Sequence, residues 1–248
     1  MDWRVAATAA LIGYLIGSIS FARIVAKLGG SDADLTRTDV PLPHGEQLVF
    51  RSVSATTVRV HLGRRYGCLT ALLDMAKVAL PTLVFRLWAP DQPYFLIVAA
   101  AGVIGHVLPI YHHFRGGRGE SPIYGGLIVI DPIAIVGTTL LGFLAGFMIG
   151  NILAVRWAGM VLLIPWLWIA TGDPWVLAYI VVVDLVYAIA ILPEFRQYLA
   201  MVGRGSEPTN EEIAVELAMG AGLGRALDRY GVLPRVWRAV RGSKRPLR

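Results

Sequence analysis

A chain of 248 residues that is 56% hydrophobic and only 16% charged departs from soluble domains, where about a quarter of residues are charged, and reads as an integral membrane protein. Its formal net charge of +6 comes from arginines and lysines gathered between apolar runs, which points to membrane topology rather than to nucleic acid. One cysteine, Cys68, excludes an internal disulfide framework and a cysteine-rich metal cluster, and beside an apolar run it reads as a packing residue.

The first apolar run, residues 5–28, reaches the roughly 20 residues that a bilayer requires. It lacks a basic leader and a small-x-small exit, so it is expected to be a full span rather than a cleavable signal. Gly13, Gly17 and Ser18 give it a small-residue face for close helix packing. Arg23 and Lys27, four apart near its end, extend toward the interface. Residues 29–66 then form a polar connection, long for a loop without structure of its own. Within it PLPHGEQ (41–47) reads as a turn, and the stretch that follows sets Ser52, Ser54, Thr56 and Thr57 among arginines that include Arg59. The second span, 67–88, carries Asp74 and Lys77 three apart on one helical face. Such a pair inside a membrane helix either fixes packing or serves a functional site.

The third span, 94–112, runs into GVIGHVLPIYHHFRGGRG (102–119). A histidine within a helix, here His106, suits packing as well as chemistry. His112 and His113 are adjacent and point to different faces, so their spacing is not that of metal ligands. In Arg115-Gly116-Gly117-Arg118-Gly119 the glycines let the backbone approach a ligand, successive N–H groups can line an anion site, and guanidiniums can grip two phosphate oxygens at once. The same residues also satisfy a plainer reading as a basic loop punctuated by glycine. Glu120 follows directly and is expected either to pair with Arg118 or to receive a proton.

Residues 123–130 are too short to cross a bilayer alone and read as a half-span ended by Asp131-Pro132. Three further spans follow at 132–150, 153–171 and 174–192; the last holds Asp184, whose partner the sequence does not name. Beyond 193 the chain is expected to leave the membrane. Thr209 is placed to cap a helix opening with Glu211 and Glu212, and the basic end with its interleaved Val and Trp suits an anionic leaflet. The expected fold is all-α, a polytopic membrane helix bundle of about seven membrane segments with one short, plus a cytoplasmic helical C-terminal tail. The division falls at 1–207 and 208–248. Arg4 and Arg86 lie on one side, whereas Arg23, Lys27, the arginines of the first loop, Arg115, Arg118 and Arg156 lie on the other with the tail. The N-terminus is therefore expected outside and the C-terminus in the cytoplasm.

Gly105, His106, Pro109, Phe114, Gly116, Gly117 and Gly119 resemble the Gly-His-x-Phe-Pro and Phe-x-Gly-Gly-Lys-Gly motif of the bacterial acyl-phosphate:glycerol-3-phosphate acyltransferase family, with Arg118 in place of the lysine. YLIGSISF is similar to that family's opening, with Ser20 where it has proline. Asp74, Lys77 and Pro81 match a further segment, with Val78 for glycine. In the first loop Ala55, Thr56, Val58, Leu62 and Gly63 match, while the family's serine falls on Phe50, its asparagines on Ser52 and Thr57, and its arginine on Val60. In the last motif Arg196, Gly205 and Glu207 match, but histidine becomes Phe195 and asparagine becomes Tyr198.

The resemblance implies acyl transfer from acyl phosphate to the 1-hydroxyl of glycerol 3-phosphate, giving lysophosphatidic acid for phospholipid synthesis without coenzyme A, cofactor or metal. It implies Ser52, Ser54, Arg59, His106 and Arg118 as catalytic residues. Arg115, Gly116, Gly117, Arg118 and Gly119 become the phosphate-binding residues. Acyl phosphate, glycerol 3-phosphate and membrane lipids are the expected partners, and nucleic acid is not. The substituted motif positions also admit a catalytically inactive paralogue that binds phospholipid or acyl phosphate. A transporter would favour paired inverted halves with broken helices, and no such internal symmetry is present in the sequence.

Overall fold

A computed structural model of the protein describes residues 1–41, 47–204, 209–216 and 220–232. The sequence-based turn at 41–47 thus falls largely outside the described residues, as do Gly205, Glu207 and the basic end beyond 232. The described chain is a bundle of helices, with six segments long and apolar enough to cross a membrane: Trp3–Leu28, Arg64–Trp88, Tyr94–His112, Pro132–Ile149, Ile152–Thr171 and Pro174–Arg204. A seventh apolar helix, Glu120–Ile130, is shorter. The expected all-α membrane bundle with one short segment is what forms.

The first span is broken at Ser18–Ser20 into α1 (Trp3–Gly17) and α2 (Phe21–Leu28). Asp2 caps α1 by accepting the Arg4 N–H at 2.7 Å. The small-residue face packs as its composition predicts: a side chain at Gly13 or Gly17 would collide with the backbone of Val98 or Gly102 on α5 (Tyr94–Val107). That close approach makes α1–α5 the most extensive helix pair of the bundle.

The first polar connection has structure of its own. Strands β1 (Thr38–Pro41) and β2 (Gln47–Phe50) pair antiparallel, with Thr38 opposite Phe50 and Pro41 opposite Gln47. A short helix, α3 (Ala55–Leu62), follows, opened where Thr57 Oγ1 accepts the Ser54 N–H at 3.0 Å. Gln197 fixes this hairpin to the bundle: its amide accepts from the Val49 N–H and donates to the Val49 carbonyl, both at 3.0 Å. Val58 and Val53 anchor the loop apolarly against Ala22, Val25 and Ala26 of α2.

Helix α4 (Arg64–Trp88) presents Leu72, Leu80, Leu83 and Leu87 outward, an apolar surface suited to lipid. Cys68 is exposed on this helix rather than packed. After α5 and a single 3-10 turn comes α6 (Glu120–Ile130), which at 1.5 Å per residue spans only about 17 Å. It nevertheless ends beside the end of α4, where Arg86 Nη1 donates to the Ile130 carbonyl at 3.4 Å. Asp131 then caps α7 (Pro132–Ile149) through the Ile133 and Ala134 N–H groups, and its other oxygen accepts the Trp166 indole N–H at 3.1 Å.

The next span is again broken, into α8 (Ile152–Val161) and α9 (Leu163–Thr171). Helix α10 (Pro174–Arg204) runs unbroken through Pro193, extending well past the expected end at 192. The main core gathers Val78, Val103, Ile123, Leu127, Leu163, Leu167, Ile180 and Val183 from α4, α5, α6, α9 and α10. Beyond the bundle lie α11 (Asn210–Glu216) and α12 (Ala221–Tyr230). Thr209 caps α11 as its position predicts, accepting the Glu212 N–H at 3.3 Å while Glu212 accepts the Thr209 N–H at 2.9 Å. Asn210 joins this pair to the α7–α8 turn, accepting from the Ile152 N–H at 2.7 Å and donating to the Gly150 carbonyl at 3.1 Å. Ile213, Ala214 and Leu227 pack there against Ile152 and Val155.

Candidate functional site

The glycine-rich turn is built from below by three buried polar side chains. Lys77 and Asp74, one helical turn apart on α4, pair at 2.8 Å with both side chains only 2% exposed. The Lys77 ammonium also donates to the Ile19 carbonyl at 2.7 Å, at the break between α1 and α2, and lies 2.9 Å from His106 Nδ1. His106 is therefore not a lone packing residue: it belongs to an Asp74–Lys77–His106 cluster that joins α4, α5 and the α1–α2 break. The cluster neutralises its own charge, which suits a membrane interior.

The His106 carbonyl accepts the Gly117 N–H at 3.1 Å, and the His106 ring lies against Gly117. A side chain at Gly117 would drive into His106 Nε2, so glycine is required there by close approach. At Gly119 the cause is conformational, since its φ of +101° lies in the left-handed region. The Gly116 carbonyl accepts the Val53 N–H at 2.9 Å, which brings the first loop onto the turn. Arg115 is exposed; its carbonyl accepts from Arg23 Nη2 at 3.2 Å.

Arg118 turns inward and is 4% exposed. Its Nη2 donates to Thr56 Oγ1 at 2.7 Å, and its Nη1 donates to Glu194 Oε2 at 2.8 Å. Ser52 Oγ donates to Glu194 Oε1 at 3.4 Å. Ser52, Arg118 and the glycine turn are thus brought together. Thr56, matched in sequence but not singled out, joins them. Ser54 lies buried at the start of α3, its hydroxyl without a hydrogen-bond partner among the described residues. Arg59, in the last turn of α3, reaches away from this cluster, with Nη2 donating to the Val215 carbonyl of α11 at 3.1 Å.

Glu120 takes neither of the partners expected for it. Both its oxygens are held by the Arg156 guanidinium, and Tyr187 donates to Oε1 at 2.9 Å. The carboxylate that meets Arg118 is Glu194, a residue outside the sequence motifs. Its signal in the sequence is an acid just beyond the apolar run that ends at 192. In the structure α10 continues through Pro193 and aims Glu194 back at the turn. The two substituted positions of the last motif face α8 instead: Tyr198 accepts from the Asn151 amide at 2.8 Å, and Phe195 stacks edge-on against Trp157 at 5.2 Å between centroids.

Beside Thr56, Glu120 and Arg156 a cavity of about 280 Å³ runs between α6, α7 and α8, with Tyr124, Phe143, Val155 and Gly159 in its walls. Polar groups thus gather at one end of the bundle, where the loops after α2, α5 and α7 meet the C-terminal part of α10. Asp184 stands apart on α10, both carboxyl oxygens buried without a hydrogen-bond partner among the described residues. It lines an apolar groove with Trp157, Tyr187 and Phe195.

Fold and site together define a polytopic membrane-helix protein with an arginine, hydroxyl and carboxylate cluster on a glycine-rich turn at one end of its bundle. The model of the glycerol-3-phosphate acyltransferase family matches residues 7–202, and the chain belongs to that family. Among its relatives, a glycerol-3-phosphate acyltransferase of Methylococcus capsulatus is 29% identical over 162 residues, 64% of this chain and 76% of the relative. One from Legionella pneumophila (strain Corby) is 29% identical over 147 residues, covering 59% of this chain and 44% of the relative, so the chain spans less than half of that longer protein. The crystal structure of PlsY (YgiH), an integral membrane glycerol 3-phosphate acyltransferase, in its glycerol 3-phosphate form superposes with a TM-score of 0.63 at 26% identity. That likeness covers 82% of this chain and 94% of the other. The lysophosphatidic acid form of the same protein gives a TM-score of 0.63 at 25% identity.

Proposed function

We propose that this chain transfers an acyl group from acyl phosphate to the 1-hydroxyl of glycerol 3-phosphate, releasing lysophosphatidic acid and phosphate. The observation that carries the reading is Arg118: a buried guanidinium directed by the Gly116–Gly117 turn toward the Ser52 and Thr56 side of the first loop. Arg115, Gly116, Gly117, Arg118 and Gly119 hold phosphate. Ser52 and Ser54 orient the bound ligand, whereas Arg59, engaged with the Val215 carbonyl of α11, stands outside this cluster. His106 sets the turn from beneath through Lys77 and Asp74. The solved PlsY forms with glycerol 3-phosphate and lysophosphatidic acid support this choice of acceptor and product.

The acceptor oxygen attacks the acyl carbonyl carbon, the carbonyl–phosphate C–O bond breaks, and the departing phosphate carries away the hydroxyl proton. A mixed anhydride is already activated, so the protein's part is positioning and charge stabilisation, with no covalent nucleophile. The cluster end of the bundle faces the cytoplasm with the C-terminus, and the N-terminus lies outside, in keeping with the arginine distribution. Purified protein in a bilayer mimetic, given acyl phosphate and glycerol 3-phosphate, tests the reading; lysophosphatidic acid is expected, and its absence with both substrates bound rejects turnover.

A second reading is favoured by one observation: Phe195 and Tyr198 replace polar family residues and pack against Trp157 and Asn151, away from the turn. On that reading the chain is an inactive paralogue that binds acyl phosphate or phospholipid. The same assay separates the two, since an inactive paralogue binds ligand without releasing phosphate.

A further inference from the structure

The Arg118 site already contains an anion of its own. Glu194 presents Oε2 to Arg118 Nη1 at 2.8 Å and Oε1 to Ser52 Oγ at 3.4 Å, the two kinds of donor that a phosphate oxygen would use. Carboxylate and phosphate both meet a guanidinium through paired oxygens, so one can stand where the other would. A nearly buried arginine needs a countercharge to offset its lost hydration, and Glu194 supplies it. The neighbouring Arg156–Glu120 pair is likewise matched, so these two arginines face two glutamates and their formal charges cancel. Glu194 is itself 16% exposed, near enough to the surface for its carboxylate to turn out into water.

We infer that Glu194 is a specificity-determining residue, an internal stand-in for the substrate phosphate that yields its place only to a more highly charged anion. Exchanging one monoanion for another at Arg118 gains no charge interaction. Exchanging the carboxylate for a dianionic phosphate monoester gains one. A membrane face is crowded with phosphodiester headgroups, each carrying a single negative charge on its phosphate, and Glu194 excludes these while admitting phosphate monoesters. This inference rests on the proposal that the turn binds phosphate, and it names the residue that selects which phosphate.

The test uses the full chain in nanodiscs of a zwitterionic lipid, with calorimetric titration of glycerol 3-phosphate (a monoester) and glycerophosphoglycerol (a diester). The parent is expected to prefer the monoester about tenfold or more, the equivalent of one lost charge contact. Glu194→Gln retains a carbonyl oxygen for Arg118 but no charge, so the diester should tighten about tenfold and the preference collapse. Adding Arg118→Ala to Glu194→Gln should abolish that gain, which a merely structural role for Glu194 would not do. Unchanged selectivity in folded Glu194→Gln overturns the inference, as does failure of both the parent and this variant to bind either ligand. Should Glu194→Gln not fold, Glu194→Ala removes the carboxylate outright, and an unchanged preference there overturns the inference equally. Loss of turnover with Glu194-dependent selectivity intact would reject the acyltransferase reading alone.

Discussion

Arg118 and Glu194, 76 residues apart in the chain, meet at 2.8 Å and tie the glycine-rich turn to the far part of α10. Through Thr56 on the other arm of Arg118, the first loop is drawn into the same contact. Three distant segments are therefore held by one guanidinium, and variants there report on binding and architecture together.

Arg118→Ala should weaken binding of glycerol 3-phosphate by about tenfold or more, since a hydrogen bond to a charged group contributes roughly 1.5–3 kcal/mol. Arg118→Lys should recover part of this as a point charge without the two-armed fork. Calorimetry on the two variants and the parent checks it, and equal affinities would reduce the turn to basic loop charge.

Gly117→Ala places a methyl group into the His106 ring, an overpacking expected to cost about 1–3 kcal/mol and to displace the turn. Gly203→Ala is the control, because nothing lies near the added carbon at that position. Thermal unfolding should separate the two variants, and phosphate binding should fall only for Gly117→Ala.

Glu120→Gln removes the charge that Arg156 faces and leaves a largely buried guanidinium uncompensated. Breaking such a pair costs on the order of 3 kcal/mol. The expected result is a lower unfolding temperature in detergent, a consequence of Glu120 bracing α6 against α8 and α10. Tighter phosphate binding with unchanged stability would instead place Glu120 against the turn.

Lys77→Met strands Asp74 within the bundle and should destabilise by about 3–5 kcal/mol. Replacing both partners, Asp74→Leu with Lys77→Met, should cost less than the single change, because no unpaired charge remains. Loss of phosphate binding in a folded double variant would show that the cluster sets the turn through His106 as well as packing it.

For orientation, a reporter fused after Arg248 should read as cytoplasmic, and one placed before Met1 as external. The opposite result would put the Arg118 cluster on the wrong face for a cytoplasmic acceptor.

What the sequence determined by itself is whatever depends on neighbours along the chain. Most span lengths follow from apolar runs, the Gly13–Gly17 packing face and the Asp74–Lys77 pair from helical spacing, and the Thr209 cap from an acid three residues further on, Glu212. The glycine requirement at 116–119 was also legible, because close approach and positive φ select that residue locally. Only the tertiary structure decided the charge partners that lie far apart in the chain. Glu120 lies 36 residues from Arg156, and Ser52 lies 142 from Glu194, so no periodicity relates them. Ion pairing is chosen by which buried charges folding leaves side by side, each needing compensation once water is excluded. The unbroken course of α10 through Pro193 set that outcome, carrying Glu194 to Arg118 and turning Phe195 and Tyr198 toward α8.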